Sequence, residues 1–306
     1  MISIDIETIL TIVYVLVDDW YEVEGKNWLK GKVGCRPSFK DSEVLTLMLC
    51  ADYIPYPAEQ QFLEFIRANH GMLFPLLPDQ SQFNRRSRNL RHLLEVLRRY
   101  WLSELGAFEA KYYLLDTKPI PVVGYKRKKS NSDFAGEADY GYCSSRHLHY
   151  WDYKLVMLTT LDGLPIMYDV VSANTDERQA AETVIPYVRN ATIIGDKGFI
   201  GTEWQAQIQQ QTGNRIVTPQ RRNQLVKLPS GVRKLVNRVR ERIEGVFHEL
   251  QNTGRYLERL LAKTRVGFMT RLISKVTAHL LKRILKVKFH IDLQTFQCVC
   301  LDFHFT

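Results

Sequence analysis

Two β-rich runs, Tyr153 to Leu161 and Pro165 to Ser172, flank the dipeptide Asp162-Gly163, and no other feature of the chain restricts its fold so tightly. Asp-Gly suits the positive backbone angles of a short hairpin turn, so the two runs are predicted to be antiparallel neighbours. Lys111 to Asp116 is a shorter β-like run, expected to end before Pro119 and Pro121 because proline cannot donate to a sheet ladder. Residues 124 to 150, rich in Lys, Ser, Gly and Tyr, read as a loop. Beyond the hairpin, Asn174 stands three residues before Glu177 as a helix start, with Ala180, Ala181, Val184 and Val188 as an apolar stripe that Pro186 ends or kinks. Ala191 to Ile194 reads as a buried strand closed by Gly195-Asp196-Lys197-Gly198. Thr202 with Gln205 offers a capping box for a further helix, and Arg215 to Thr218 returns to strand. Strands and helices in this order imply an α/β architecture with a mixed sheet.

The first hundred residues carry a helical period instead. Ile6 to Val17 and Val44 to Ala51 show apolar positions at helical spacing, with Asp41 or Ser42 available to cap the second. A third helix, Ser81 to Leu105, sets Leu90, Leu93, Leu94 and Leu97 on one side and Arg85, Arg86, Arg88, Arg91, Arg98 and Arg99 on the other. That arginine face is either a solvated surface or a phosphate-contacting one. A chain of 306 residues is long for one domain. The expected division is a helical N-terminal domain over 1–108, a catalytic domain over 109–290 and a tail over 291–306.

Charge distribution narrows the partners. The net charge is +9, but residues 1–66 balance to −6 and residues 214–288 to +15, so the positive charge is concentrated where a polyanion could lie. Ile9 to Val17 is half the length needed to span a bilayer and stops at Asp18-Asp19, which excludes a membrane helix there. Asp5 and Glu7 occupy the place of a signal peptide's basic start, and Cys35, Cys50, Cys143, Cys298 and Cys300 form no disulfide framework, so a reducing cytoplasm is expected. Neither the Cys298/Cys300 pair nor the His147/His149 pair has the companions a metal site needs. Tyr140, Tyr142, Tyr150, Trp151 and Tyr153 are read as packing groups before base-stacking ones.

Chemistry on phosphodiesters with two metal ions needs three or more carboxylates from separate elements converging on one point. Magnesium suits it, because that ion prefers oxygen and takes only one or two carboxylates, leaving room for water and substrate. Asp116 and Asp196 each close an apolar strand, where an acid is otherwise a common turn former. The third must come from the basic C-terminal helix. Val232, Val236, Val239, Ile243, Val246 and Leu250 mark its buried stripe; Glu241 falls opposite, whereas Glu244 borders the stripe on a line with Asn237, Arg240 and His248. The plain alternative for Glu244 is a surface ion pair with Arg240.

Three patterns then stand in order: YLLDTKPIPV at Asp116, IIGDKGFIG at Asp196 and RVRERIEGVFHEL at Glu244, with 79 residues between the aspartates and 47 between Asp196 and Glu244. Together with WDYKLVMLTTLDGLPIMYDVVSANTDE, PSFKDSEVLTLMLCADY and FPLLPDQSQFNRRSR they resemble the transposases of bacterial insertion sequences in the DDE superfamily, most like insertion-sequence family nine-eight-two, over residues 35 to 285. The resemblance implies a ribonuclease-H-like mixed sheet flanked by helices, preceded by a helical N-terminal domain. It implies that Asp116, Asp196 and Glu244 bind two Mg2+ ions, with Mn2+ able to substitute, and are the catalytic residues. Relatives often carry a Tyr, an Arg and a Lys around the catalytic Glu; Arg240 matches, while Asn237 and Gln251 stand where the Tyr and Lys would be.

The function so implied is DNA transposition. Double-stranded DNA, both the terminal inverted repeats and the target, would be the partner, held by a homodimer and contacted by Lys197, Arg238, Arg240, Arg242, Arg85 and Arg86. A ribonuclease-H-like nuclease that only hydrolyses, or a domesticated DNA-binding protein without catalysis, are the rival readings.

Overall fold

The computed structural model describes residues 5–29, 37–54, 56, 58–121, 133–134, 138–143, 148–219, 230–253, 256–291 and 293. Its contacts divide the chain into two units, Leu102–Glu249 and a second that joins Met1–Trp101 to Leu250–Thr306.

The unit Leu102–Glu249 is built on a six-stranded mixed sheet: β1 (Tyr112–Pro121), β2 (Asp139–Cys143), β3 (Leu148–Thr160), β4 (Pro165–Ser172), β5 (Thr192–Gly195) and β6 (Arg215–Val217). β1 lies between antiparallel β3 and parallel β5, β6 extends the sheet in parallel from β5, and β2 and β4 both pair with β3. The predicted hairpin is present, with Gly163 at φ +83° in its turn. Leu114, Leu115 and Leu155 through Leu158 are almost wholly buried, as expected for central strands covered on both faces. Two helices, α5 (Glu177–Glu182) and α6 (Thr202–Thr212), are inserted between strands. This is a ribonuclease-H-like fold: a mixed sheet flanked by helices, preceded in the chain by a helical region.

Several local expectations fail for identifiable reasons. β1 does not stop before its prolines but runs through Pro119 and Pro121, so Asp116 lies within the strand and does not close it. The odd-numbered residues of β1 turn their backbone groups toward β5, as Thr192 N donating to Lys111 O shows, and pairing with β5 ends at Leu115. Both prolines therefore lack a donor only on a flank with no β5 partner, while Pro119 and Pro121 still align with Lys154 and Asp152 of β3. The stretch read as a loop over 124–150 contains β2 and the start of β3, where alternating Tyr and His residues suit a sheet. Helix α5 is capped by Asp176, not Asn174, and ends at Glu182, leaving Ile185–Tyr187 as a separate 3-10 turn around Pro186. No capping box forms at Thr202: Gly201 holds the cap position and the Gln205 amide donates to Phe199 O at 3.0 Å.

The other unit is helical: α1 (Ile6–Val23), α2 (Asp41–Cys50), α3 (Glu59–Asn69), α4 (Gln80–Glu104) and α8 (Arg265–Phe289), with α7 (Ser230–Asn252) ending in it. Leu45, Leu47 and Leu49 of α2 and Leu272, Val276, Leu280 and Leu281 of α8 supply much of its core, and the two helices are in contact. Inside this core the Lys275 ammonium donates to Asp52 at 2.8 Å and to Thr253 O at 2.9 Å, while Thr253 Oγ1 donates to the other Asp52 oxygen.

Neither predicted cap of α2 serves. Lys40 holds the cap position with its amide on the Glu43 carboxylate, because Asp41 is engaged by Tyr21 and Arg86, and Ser42 by Asp18. The leucine face of α4 is buried as expected, but Arg98 does not share the arginine surface. It is buried and bonded to Glu95, one turn after Leu94 and three residues before the buried Trp101.

Candidate active site

The end of the β1–β5 ladder fixes two acids. Leu115 is the last residue of β1 paired with β5, opposite Gly195, so the next position on each of these neighbouring parallel strands is an aspartate, Asp116 and Asp196. Strands in a sheet lie about 4.8 Å apart. Both carboxylates are partly exposed and are fixed in the same way: Asp116 Oδ1 accepts from the Thr117 amide at 2.7 Å, and Asp196 Oδ1 from the Lys197 amide. The sequence Gly195-Asp196-Lys197-Gly198 has a steric logic. A Cβ on Gly195 would stand 2.7 Å from the Phe199 ring, so glycine lets that buried ring close under the turn. A Cβ on Gly198 would fall 1.3 Å from Oε2 of Glu177, so the second glycine leaves room for a carboxylate.

Glu177 is the residue that sequence reasoning passed over. It is the first residue of α5, where an acid is an ordinary helix starter, and only its proximity to Gly198 marks it as different. Thr117 Oγ1, next to Asp116 in the chain, donates to Glu177 Oε1 at 3.5 Å. Burial pushes the Glu177 carboxyl above its ordinary range; the Lys154 charge opposes this and the Asp196 charge adds to it. Lys154 on β3 is itself half-buried, which holds its ammonium below the ordinary range, and it donates to Thr175 O at 2.5 Å.

Glu244 lies on α7 with an exposed side chain. Two residues later Val246 packs against the hairpin turn, where a Cβ on Gly163 would meet its Cγ2 at 2.9 Å. That turn follows the end of β3, whose Thr160 pairs with Tyr113 of β1, three residues before Asp116. Among the described residues no group of three or more His, Cys, Asp and Glu side chains closes around a common metal position. The two aspartates are thus brought together and Glu244 is not gathered with them into such a group. The donors where the β1–β5 pairing ends are both carboxylate oxygens, which fits a hard divalent cation that takes one or two carboxylates from protein.

The cations anticipated from sequence differ in setting. Lys197, Arg238 and Arg242 are exposed, the two arginines one turn apart on α7, while the Arg240 side chain lies outside the described residues. In the helical unit, Arg85 is exposed along an open groove of about 570 Å3, lined also by Gln80, Asn84, Arg88 and Arg91. Arg86 is committed within the protein, at 2.7 Å from Asp41 and over the Phe39 ring at 5.8 Å. His147, Cys298 and Cys300 lie outside the described residues, as do the side chains of His149, Tyr140, Tyr142, Tyr150 and Trp151. Tyr153 is buried edge-on to Phe134, a packing role.

The two acids stand side by side where the pairing of β1 with β5 ends, and comparison with known proteins identifies the class of the chain. Residues 109–281 match the family described as Transposase DDE domain, and the chain belongs to that family. Among solved structures it is similar to one described as "Mos1 transposase paired-end complex with left transposon end", at 14% identity over 79% of this chain and 88% of that one, with a TM-score of 0.24. No curated protein sequence matches the chain.

Proposed function

We propose that the chain is the transposase of a bacterial insertion sequence, of the kind represented by family nine-eight-two. It binds the terminal inverted repeats of its element, hydrolyses a phosphodiester bond to expose a 3′-hydroxyl, and joins that hydroxyl to target DNA. The observation that carries this reading is the register of Asp116 and Asp196 side by side where the β1–β5 pairing ends, inside a Transposase DDE domain. Asp116 and Asp196 would hold Mg2+, and Glu244 would complete the ligand set from α7 when DNA is in place. Bound divalent ions supply activation of the attacking water or hydroxyl and stabilisation of the leaving oxygen.

The protein's own part is to hold and orient. Backbone amides of Thr117 and Lys197 fix one oxygen of each aspartate, which sets the direction of the other. Lys197, Arg238 and Arg242, with Arg240, neutralise the DNA backbone around the reacting phosphate, and Arg85 with its neighbours on α4 gives the helical unit phosphate contacts of its own. A homodimer would pair the two ends of the element, and the cytoplasm would be its place of action. No described helix is long and apolar enough to cross a membrane.

The test is strand transfer by purified protein. A labelled duplex ending in a pre-cut 3′-hydroxyl at an inverted repeat should become joined to plasmid DNA in Mg2+, and Asp196→Ala should abolish the joined product. Cleavage without joining would support the hydrolytic nuclease instead. DNA binding with neither reaction would support a non-catalytic relative.

A further inference from the structure

We propose that Arg88 is the inner anchor of a phosphate site between α4 and the first turn of α8, and that its ligand is a phosphate of the DNA backbone. The inference deepens the reading of the chain as a DNA-binding transposase and rests on it. The observation that carries it is a guanidinium without an acceptor. Three arginines of α4 are at least partly buried: Arg86, Arg88 and Arg98. Arg86 meets Asp41 at 2.7 Å and Arg98 meets Glu95 at 2.6 Å. Arg88 meets neither kind of partner among the described residues: its Nε is buried with nothing to accept from it, and no carboxylate lies within 4.0 Å of the guanidinium. Glu59, the acid lining the same small cavity, already accepts from the side-chain amides of Gln80 and Asn84, both at 2.8 Å.

The surroundings of Arg88 are positive. On one side opens the groove of about 570 Å3, which exposed Arg85 and Arg91 also line. On the other, the cavity is shared with Arg271 of α8, whose guanidinium donates to Leu260 O. Burial holds Arg271 below its ordinary range, the Glu59 charge opposing and the Arg88 charge adding to the shift. The start of α8 reaches the same place: Val266 lines the groove, and a Cβ on Gly267 would stand 3.9 Å from Arg88 Nη2. Helix starts favour acids, yet the first turn of α8 has none and carries Arg265, with Lys263 just before the Thr264 cap.

A partly desolvated guanidinium short of acceptors is unfavourable for the unliganded protein. A phosphate supplies what is lacking, since two of its oxygens match the guanidinium fork. The groove has room for more than one phosphate and has further arginines along it, which suits consecutive phosphates of a duplex better than a free ion.

The experiment uses the full chain and reads duplex DNA binding by fluorescence anisotropy across a salt series, beside thermal melting with and without inorganic phosphate at constant ionic strength. Arg88→Met removes a charge that the folded protein does not compensate, so without ligand it should melt at or above the parent temperature. It should bind duplex about tenfold or more weakly, with the slope of log affinity against log salt reduced by about 1. Inorganic phosphate, which should raise the melting temperature of the parent, should leave that of Arg88→Met in place. Arg88→Lys, which keeps the charge but not the fork, should fall between the two in affinity. Parent-like duplex affinity and salt slope in Arg88→Met overturn the proposal and leave DNA binding by the chain standing. Arg88→Met melting well below the parent, with Arg88→Lys binding duplex as the parent does, makes Arg88 a packing residue and also overturns it. No duplex binding by the parent chain overturns both the proposal and the reading beneath it; phosphate that still stabilises the parent but not Arg88→Met would then mark a site for a free anion.

Discussion

The Lys275 ammonium and the Asp52 carboxylate lie 223 positions apart in sequence and meet at 2.8 Å, with their side chains 1% and 6% exposed. A buried pair of this kind adds little over a well-packed apolar substitute, but removing one partner strands the other charge in the core. Lys275→Met should therefore lower the unfolding free energy by about 3–5 kcal/mol in urea titrations. The double variant Asp52→Leu/Lys275→Met should recover part of that loss. A double variant no more stable than the single one would contradict this view of the pair.

Chelation and ligand removal should act on reaction and not on fold. With EDTA present, strand transfer should cease while the far-ultraviolet circular dichroism spectrum is unaltered. Asp116→Asn should reduce the joining rate by at least about 100-fold, about 2.7 kcal/mol of transition-state stabilisation. A variant that retains its rate would remove Asp116 from the chemistry.

Arg85 and Arg86 are adjacent in sequence but should report different things. Arg85→Ala should leave the melting temperature unchanged and lower DNA affinity, with the slope of log affinity against log salt reduced by about 1 for a lost phosphate contact. Arg86→Ala removes the Asp41 ion pair and the stacking on Phe39 and should cost about 1–3 kcal/mol of stability. Matching DNA affinity losses without any stability change in Arg86→Ala would reverse this assignment.

Acid sensitivity of the helical unit should involve His70. Its ring packs against Phe65 with centroids 5.5 Å apart, and its buried Nδ1 has no hydrogen-bond partner among the described residues. Burial lowers its pKa below the ordinary 6.5, with the Glu7 and Asp5 charges opposing the shift. Because the folded state disfavours the protonated ring, the stabilising contribution is present above pH 6.5 and is lost as pH falls through the lowered folded value. Urea midpoints taken from about pH 7.5 down to about pH 5 should fall more steeply for the parent chain than for His70→Gln. Parallel curves would exclude His70 as a contributor.

The pattern of successes in reading the sequence follows from how local each signal is. Asp162-Gly163 carries its own turn geometry, and Gly163 indeed sits at φ +83°, so the hairpin was legible from nine or so residues on either side. Asp196 was legible as a strand-closing acid because it follows an apolar run, whereas Asp116, read the same way, lies inside β1, which continues to Pro121. The continuation of β1 through Pro119 and Pro121 was not legible, since it depends on which of two neighbours is missing at that level of the sheet. Arg98 could have been placed inside from its spacing: four residues after Leu94 and three before Trp101, it lies on the apolar stripe of α4. Glu177 offered no such hint, because its setting is made by a glycine on a different element.

The helical unit draws on both termini of the sequence, and this has a consequence for when it can form. On the ribosome, α1 to α4 emerge first, but the leucine-rich face of α8 and the counter-charge for Asp52 are still untranslated. Until synthesis passes residue 285 or so, this unit exists only as an incomplete set of helices with exposed apolar faces. The sheet unit, contained within Leu102–Glu249, faces no such delay, so a newly made molecule should acquire its carboxylate-bearing sheet before its N-terminal helices settle.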